Sequence, residues 1–382
     1  MKRYRTLATN ALHAGERPED ARGAVVTPIF QSANFLQREE ENYHDVRYMR
    51  LSNSPNHQVL GARIAALEGT EDALVATSGM AAITAAILSH VHTGEHLLAH
   101  KTLYGGSQGF LDHDAPKLGL SVTSVDFSAP DTWKAALRPT TRAFYVEGIT
   151  NPLMEVGELH AVVEFCREHG LISLIDNTIP TPVNFRPTEI GFDLILHSAT
   201  KYYNGHSDIV AGIVAGSHDR IRRVTELLNH LGGSLDAHAC FLLERGMKTL
   251  AVRMAHHNQS ALRLATVLER TDGVTRVNYP GLASNPGNIR AAALFKGCSG
   301  MLSIYVHSSS RADRFFERVQ IPRHAASLGS VESLVVRPAR STHLGMEKSR
   351  REALGVTDTL IRISVGLEDI EELIDDFTQA LA

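Results

Sequence analysis

A chain of 382 residues is long for a single hydrophobic core, so two domains are expected, with room for a short extra arm. Hydrophobic residues at 43% and charged residues at 21% are ordinary for a soluble globular protein. The formal net charge of −4 gives no reason to expect nucleic acid or an anionic membrane as partner, and no apolar run approaches the roughly 18 residues that span a bilayer.

In chain order, the N-terminal MKRYRTLATNALHAG is basic but has no apolar core of a signal peptide, which argues against secretion. The first ~55 residues are polar and irregular and are taken, as residues 1–58, for an extended arm. Short apolar runs then appear at 73–76, 96–99, 122–125, 143–146, 171–175, 194–196 and 209–214. Helical spacing fills several of the gaps, at 80–88, 133–137 and 161–166. Strands alternating with helices imply βαβ units and a mainly parallel sheet covered on both faces. From Phe241 a long helical pattern runs to Arg270, and the boundary of a domain at 59–245 is put there. The remaining domain, 246–382, has strand patterns at 301–306 and 361–365 and a final amphipathic helix at 370–381. Three scattered cysteines, Cys166, Cys240 and Cys298, form neither a CxxC pair nor a disulfide framework, so a cytoplasmic protein is expected.

Ligands of parallel sheets collect at the carboxyl ends of strands. Ser78-Gly79-Met80 follows one strand and opens a helix, whose first N–H groups and dipole suit a phosphate; a plain helix cap fits the turn equally. Asp176 ends another strand, where a carboxylate in an apolar layer needs a cationic partner, whether a buried salt bridge or a ligand. Lys201 follows the next strand behind Ser198 and Thr200, and Tyr104 precedes a glycine pair. This set meets the requirements of pyridoxal phosphate (PLP): a lysine for the imine, an acid for the pyridine nitrogen, hydroxyls for the phosphate and an aromatic ring to stack. Asp112-His113-Asp114 and His256-His257 lack the spacing of a structural zinc site, and no metal is expected. Cys298 has no indicated histidine partner and is not expected to be a nucleophile.

HSATKYYNGHSD, residues 197–208, resembles the cofactor-lysine signature of the PLP-dependent enzymes of cysteine and methionine metabolism. This is the transsulfuration family of cystathionine γ-synthases, cystathionine γ- and β-lyases, methionine γ-lyases and homoserine-ester sulfhydrylases. The likeness runs nearly end to end. HAGERPEDARGAVVTPIFQSANF is similar to the family's arm, RYMR to its Tyr-x-Arg element, ATSGMAA to its phosphate turn and LYGG to its stacking tyrosine. SLGSVESL and LIRISVGLED are similar to its substrate elements.

The resemblance implies the fold type I of PLP-dependent transferases, an α/β architecture with a mainly parallel seven-stranded sheet and a smaller C-terminal α+β domain. It makes Lys201 the lysine that holds the cofactor and moves protons, Asp176 the partner of the pyridine nitrogen and Tyr104 the stacking group that helps protonate the leaving group. Ser78, Gly79, Met80, Ser198 and Thr200 would bind the phosphate. Tyr48 and Arg50 would bind the phosphate of a neighbouring subunit in a homotetramer built as a dimer of dimers. Arg362 would grip the substrate α-carboxylate, assisted by Ser327 and Asn151, with Glu147 behind the cofactor.

Departures from the family pattern bear on the reaction. Ala326 stands where many cystathionine enzymes carry glutamate, Gly106 where methionine γ-lyases often carry cysteine, and Ser330 and Val331 where β-lyases place an aromatic plug. RYMRLSNSPNH also differs from the usual Tyr-Ser-Arg-x-Gly-Asn-Pro run, which suggests a reshaped substrate mouth. The expected function is a carbon–sulfur lyase giving 2-oxobutanoate and ammonia from cystathionine, homocysteine or methionine. The alternatives are a γ-replacement transferase of the cystathionine γ-synthase or O-acylhomoserine sulfhydrylase type and, from another class, a non-catalytic PLP-binding regulator.

Overall fold

The computed structural model describes residues 3–19, 21–37 and 42–382, so Asp20 of the arm motif lies outside it. Strands β1 (Asp72–Ala76), β2 (His96–His100), β3 (Ser121–Val125), β4 (Thr141–Glu147), β5 (Ile172–Asp176), β6 (Leu194–Ser198) and β7 (Gly212–Gly216) form one sheet in the order β1-β7-β6-β5-β4-β2-β3. The pairs from β3 through β6 are parallel, whereas β7 runs antiparallel to both β1 and β6. The expected mainly parallel seven-stranded sheet is present. Alternation explains why the strands inside this sheet, unlike the edge strand β3, are mostly apolar on both faces. Val75, Leu98, Val146, Ile175 and Ile195 point into one core, while their neighbours Leu74, Leu97, Tyr145, Leu174 and Leu196 point into another. The helix Gly79–Leu88 covers the second face with Ala82, Ile83 and Ile87, and Leu159–His169 covers the first with Val162, Val163 and Cys166.

The second sheet holds β8 (Val274–Asn278), β9 (Met301–Val306), β10 (Arg323–His324), β11 (Leu334–Val336) and β12 (Leu360–Ser364) in the order β10-β11-β12-β9-β8. Phe315 and Phe377, from the helices Ser309–Arg318 and Ile370–Leu381, pack in its core at 5.6 Å between ring centroids. Cys166, Cys240 and Cys298 are buried free thiols. Among the described residues no helix is long and apolar enough to cross a membrane.

Four local expectations are corrected. The pattern through 241–270 is two helices, Ala237–Met247 and Leu250–Leu268, because Thr249 leaves the helical region at φ −105°, ψ 3°. Arg253 spans the break, donating to Gly246 O at 2.9 Å and to the distant Tyr202 O at 2.7 Å. The run at 209–214 becomes strand only from Gly212, since Ala211 N–H is spent on Thr200 Oγ1 at 3.0 Å. The stretch at 133–137 is the end of a 3₁₀ helix, Pro130–Ala136. The arm is not wholly irregular: Leu7–His13 is a helix capped by Thr6, and buried Arg63 ties its end down by donating to Ala14 O at 3.0 Å.

Candidate active site

Strand β6 delivers its last residue, Ser198, to the carboxyl edge of the first sheet, and a tight turn follows in which Lys201 N–H returns to Ser198 O at 3.2 Å. The turn is fastened from behind. Glu68, fully buried, lies 2.8 Å from His197 Nε2 and accepts a hydrogen bond from the Tyr203 hydroxyl, so residues on both sides of the lysine share one carboxylate. Lys201 itself enters a cavity of about 360 Å³, where its Nζ donates to Ser327 Oγ at 2.8 Å. Burial, and then the nearby Arg362 guanidinium, lower its pKa to about 8.

Two carboxylates stand side by side across β4 and β5, in the register Glu147 to Asp176. Burial raises the pKa of both, and that of Glu147 climbs well above the usual range because Asp176 adds to it. Asp176 Oδ1 accepts from Thr178 N–H at 2.9 Å, which favours its charged form. Of the pair, Glu147 is pushed further toward its neutral form. Among the described residues Asp176 has no cation within ion-pair reach. Glu147 Oε1 accepts from Tyr104 N–H at 2.6 Å and so fixes the backbone beneath that ring.

Ser78 caps the helix Gly79–Leu88 by accepting from Ala81 N–H at 3.0 Å, which leaves the Gly79 and Met80 N–H groups at the helix's open end. A Cβ on Gly79 would lie 2.8 Å from Ser198 Cβ; glycine is what lets this helix touch the end of β6. Gly106 plays the same part for Tyr104, whose ring would be 2.6 Å from any Cβ there. Thr200 Oγ1 is shared with Ala211.

From the second sheet, β12 carries Arg362, 3% exposed, into the same cavity. Its Nη1 donates to Asn151 Oδ1 at 3.2 Å and its Nη2 to Ser327 O at 2.7 Å. Burial lowers its pKa to about 10, so it remains a cation at neutral pH, yet no carboxylate of the described residues pairs with it. Ser327 turns both its carbonyl and its hydroxyl to the site by adopting φ 117°, a strained conformation for a residue with a Cβ, costing about 1–3 kcal/mol.

Ser78, Gly79, Met80, Tyr104, Asn151, Asp176, Ser198, Thr200, Lys201, Ser327 and Arg362 therefore line one cavity. Tyr48 and Arg50 do not. Arg50 donates instead to Asn229 O at 3.1 Å and to the Tyr43 hydroxyl, neither of them a carboxylate. Thr178 was not anticipated. It lines the cavity and accepts from Ser198 N–H at 2.8 Å, and its one sequence cue is a hydroxyl two places beyond a strand-end acid.

The chain matches, over residues 8–382, the family described as Cys/Met metabolism PLP-dependent enzyme. A cystathionine gamma-lyase of Bacillus subtilis (strain 168) is 37% identical over 374 residues, 98% of each chain. An L-methionine gamma-lyase of Pseudomonas putida is 39% identical over 390 residues, 98% of this chain and 97% of that one. A crystal structure of cystathionine gamma-lyase from Lactobacillus plantarum complexed with L-serine superposes with a TM-score of 0.94 at 32% identity, covering 98% of both chains.

Proposed function

Because the chain belongs to the PLP-dependent enzymes of cysteine and methionine metabolism, we propose that it is a carbon–sulfur lyase acting by γ-elimination on cystathionine, homocysteine or methionine. With one water consumed, the products are cysteine from cystathionine, hydrogen sulfide from homocysteine or methanethiol from methionine, each with 2-oxobutanoate and ammonia. The observation that carries this reading is one cavity holding, among the described residues, a buried cation without an acid, Arg362, and a buried acid without a cation, Asp176, together with a lysine whose pKa is lowered to about 8.

The residues fit PLP. The N–H groups of Gly79 and Met80, with the hydroxyls of Ser198 and Thr200, suit its phosphate; unpaired Asp176 suits its protonated ring nitrogen; and Tyr104 suits the ring face. When bound, the cofactor supplies an electron sink that acidifies the substrate carbons beside it. Arg362 holds the α-carboxylate, and its bonds to Asn151 and Ser327 fix the plane of the guanidinium. Lys201 Nζ, with a sizeable neutral fraction near pH 8, takes the Cα proton, gives it up again and, neutral once more, takes one from Cβ, as γ-elimination requires. The Tyr104 hydroxyl delivers a proton to the departing sulfur. Residues 59–245 thus carry the cofactor and 246–382 the substrate clamp, and the buried free thiols fit a reducing cytoplasm.

Purified holoenzyme supplied separately with cystathionine, homocysteine, methionine, and an O-acylhomoserine with cysteine should release 2-oxobutanoate from at least one of the first three. Thioether formed from the ester, with no keto acid from any substrate, would instead identify a γ-replacement transferase.

The active unit is a homo-oligomer with a shared site, in which Tyr48 and Arg50 of residues 1–58 complete the neighbour's phosphate site. Support comes from Arg50, which lies outside its own chain's cavity and, among the described residues, meets a carbonyl, a phenol and the Tyr48 ring but no carboxylate. Arg50→Ala and Lys201→Ala chains, each inactive alone, should recover about a quarter of wild-type activity when randomly mixed, since half the dimers are hybrid and each has one intact site. No recovery after demonstrated subunit exchange would rule out sharing.

A further inference from the structure

Beneath Lys201 lies a buried polar cluster that stability alone does not explain. Glu68 is the last residue of the helix Pro55–Glu68, and Thr188 Oγ1 donates to its carbonyl at 2.7 Å, so its carboxylate starts from a fixed point. One oxygen, Oε1, takes both of its side-chain contacts. The Tyr203 hydroxyl donates to it, and His197 Nε2 stands 2.8 Å away, out of line for a hydrogen bond. The two rings meet edge to face with centroids 4.8 Å apart, and all three side chains are buried. Among the described residues, Glu68 Oε2 and His197 Nδ1 have no hydrogen-bond partner. Buried polar atoms left unsatisfied cost stability, and apolar groups of similar volume in place of such a cluster are often neutral or stabilising.

What the cluster holds supplies the reason for it. His197 comes just before the lysine turn and Tyr203 just after Lys201. Between them the chain closes on itself, Gly205 N–H donating to Lys201 O at 2.7 Å and Asn204 N–H to Ala199 O at 3.1 Å. Tyr203 is turned into the core, whereas Lys201 lines the cavity that Glu68 does not reach. One carboxylate thereby fixes the chain on both sides of the amine. We propose that Glu68, with His197 and Tyr203, is the positioning unit for Lys201: it touches neither cofactor nor substrate and sets the place from which the amine reaches both. The inference rests on Lys201 being the cofactor lysine. Because a misplacement of about 1 Å can cost about 10²-fold in rate, a modest loosening of this turn should cost about tenfold.

Holoenzymes of the wild type, Glu68→Gln, Tyr203→Phe and the apolar triple variant Glu68→Leu/His197→Phe/Tyr203→Phe would be compared by three measurements. These are exchange of the Cα proton of methionine and of cystathionine for deuterium, release of the cofactor into hydroxylamine, and thermal unfolding. Exchange precedes the fate of the sulfur, so it reads the amine whether elimination or replacement follows. Each variant should exchange the Cα proton about tenfold more slowly and give up its cofactor about tenfold faster. The amino-acid concentration for half-maximal exchange should stay within about twofold of wild type, because Arg362 is untouched. The triple variant should unfold no lower than the wild type, which a merely structural cluster would not allow. Variants that unfold at lower temperature yet exchange and retain cofactor as the wild type does would overturn the proposal. A wild type that exchanges neither amino acid and keeps its cofactor in hydroxylamine would remove Lys201 from its role, and the positioning unit with it. If the triple variant does not fold, the two single substitutions decide, since each nearly preserves the volume of the core.

Discussion

Lys201→Ala should abolish turnover, by at least about 10⁴-fold, and should leave PLP bound only noncovalently. The expected loss is large because, on the proposed reading, one amine would both hold the cofactor and move the protons, and among the described residues no second lysine lines the cavity. Borohydride reduction followed by mass measurement checks the attachment, since wild-type protein should retain the cofactor's mass and the variant should not. The same amine predicts a pH dependence. Burial lowers its pKa to about 8 from the model-peptide value of 10.5, so the neutral, reactive form is far more abundant at pH 7 than in an ordinary lysine. Capture of PLP by cofactor-free protein should therefore accelerate about tenfold per pH unit below the pKa and level off above about pH 8. A rate still climbing at that slope past pH 10 would show the amine to be solvated.

Arg362→Ala should lower kcat/KM by about 10²–10³-fold, mainly through KM, while the cofactor stays attached. Losing a buried charge-assisted partner costs about 2–5 kcal/mol, and Asn151 Oδ1 and Ser327 O would lose their donors as well. Arg362→Lys should recover little, because an ammonium cannot serve Asn151, Ser327 and a substrate carboxylate in one plane. There is a second readout. Arg362 is the neighbouring charge that depresses the Lys201 pKa, so its removal favours the protonated amine and moves the cofactor-capture profile to higher pH. A variant with wild-type KM for every amino-acid substrate would remove Arg362 from the substrate clamp.

Features that depend on near neighbours in the chain were legible before any coordinates. Buried strands of an α/β sheet are apolar on both faces, and so the runs at 73–76, 96–99, 143–146 and 194–196 each mark a strand of the sheet. Loops at strand ends hold polar side chains for ligands, and Ser78, Asp176 and Lys201 could be picked out on that ground and do line one cavity. The longest helix pattern failed locally, since the break at Lys248-Thr249 falls within a stretch of good helical spacing and is stabilised by Arg253 bonds to carbonyls as distant as Tyr202.

The order of residues alone thus determined the α/β class, the family likeness and the set of groups suited to PLP, because periodicity and short motifs are properties of neighbouring residues. Tertiary structure decided how those groups are charged and paired. Asp176 and Glu147 become a coupled pair only through the register of β4 on β5, and Lys201 acquires a depressed pKa only by burial beside an arginine 161 residues away (362 − 201). That Arg362 meets no carboxylate among the described residues and that Arg50 turns away from its own chain's cavity are both statements about the relative positions of distant segments. Electrostatic interaction depends on distance and desolvation in space, and separation along the chain carries neither.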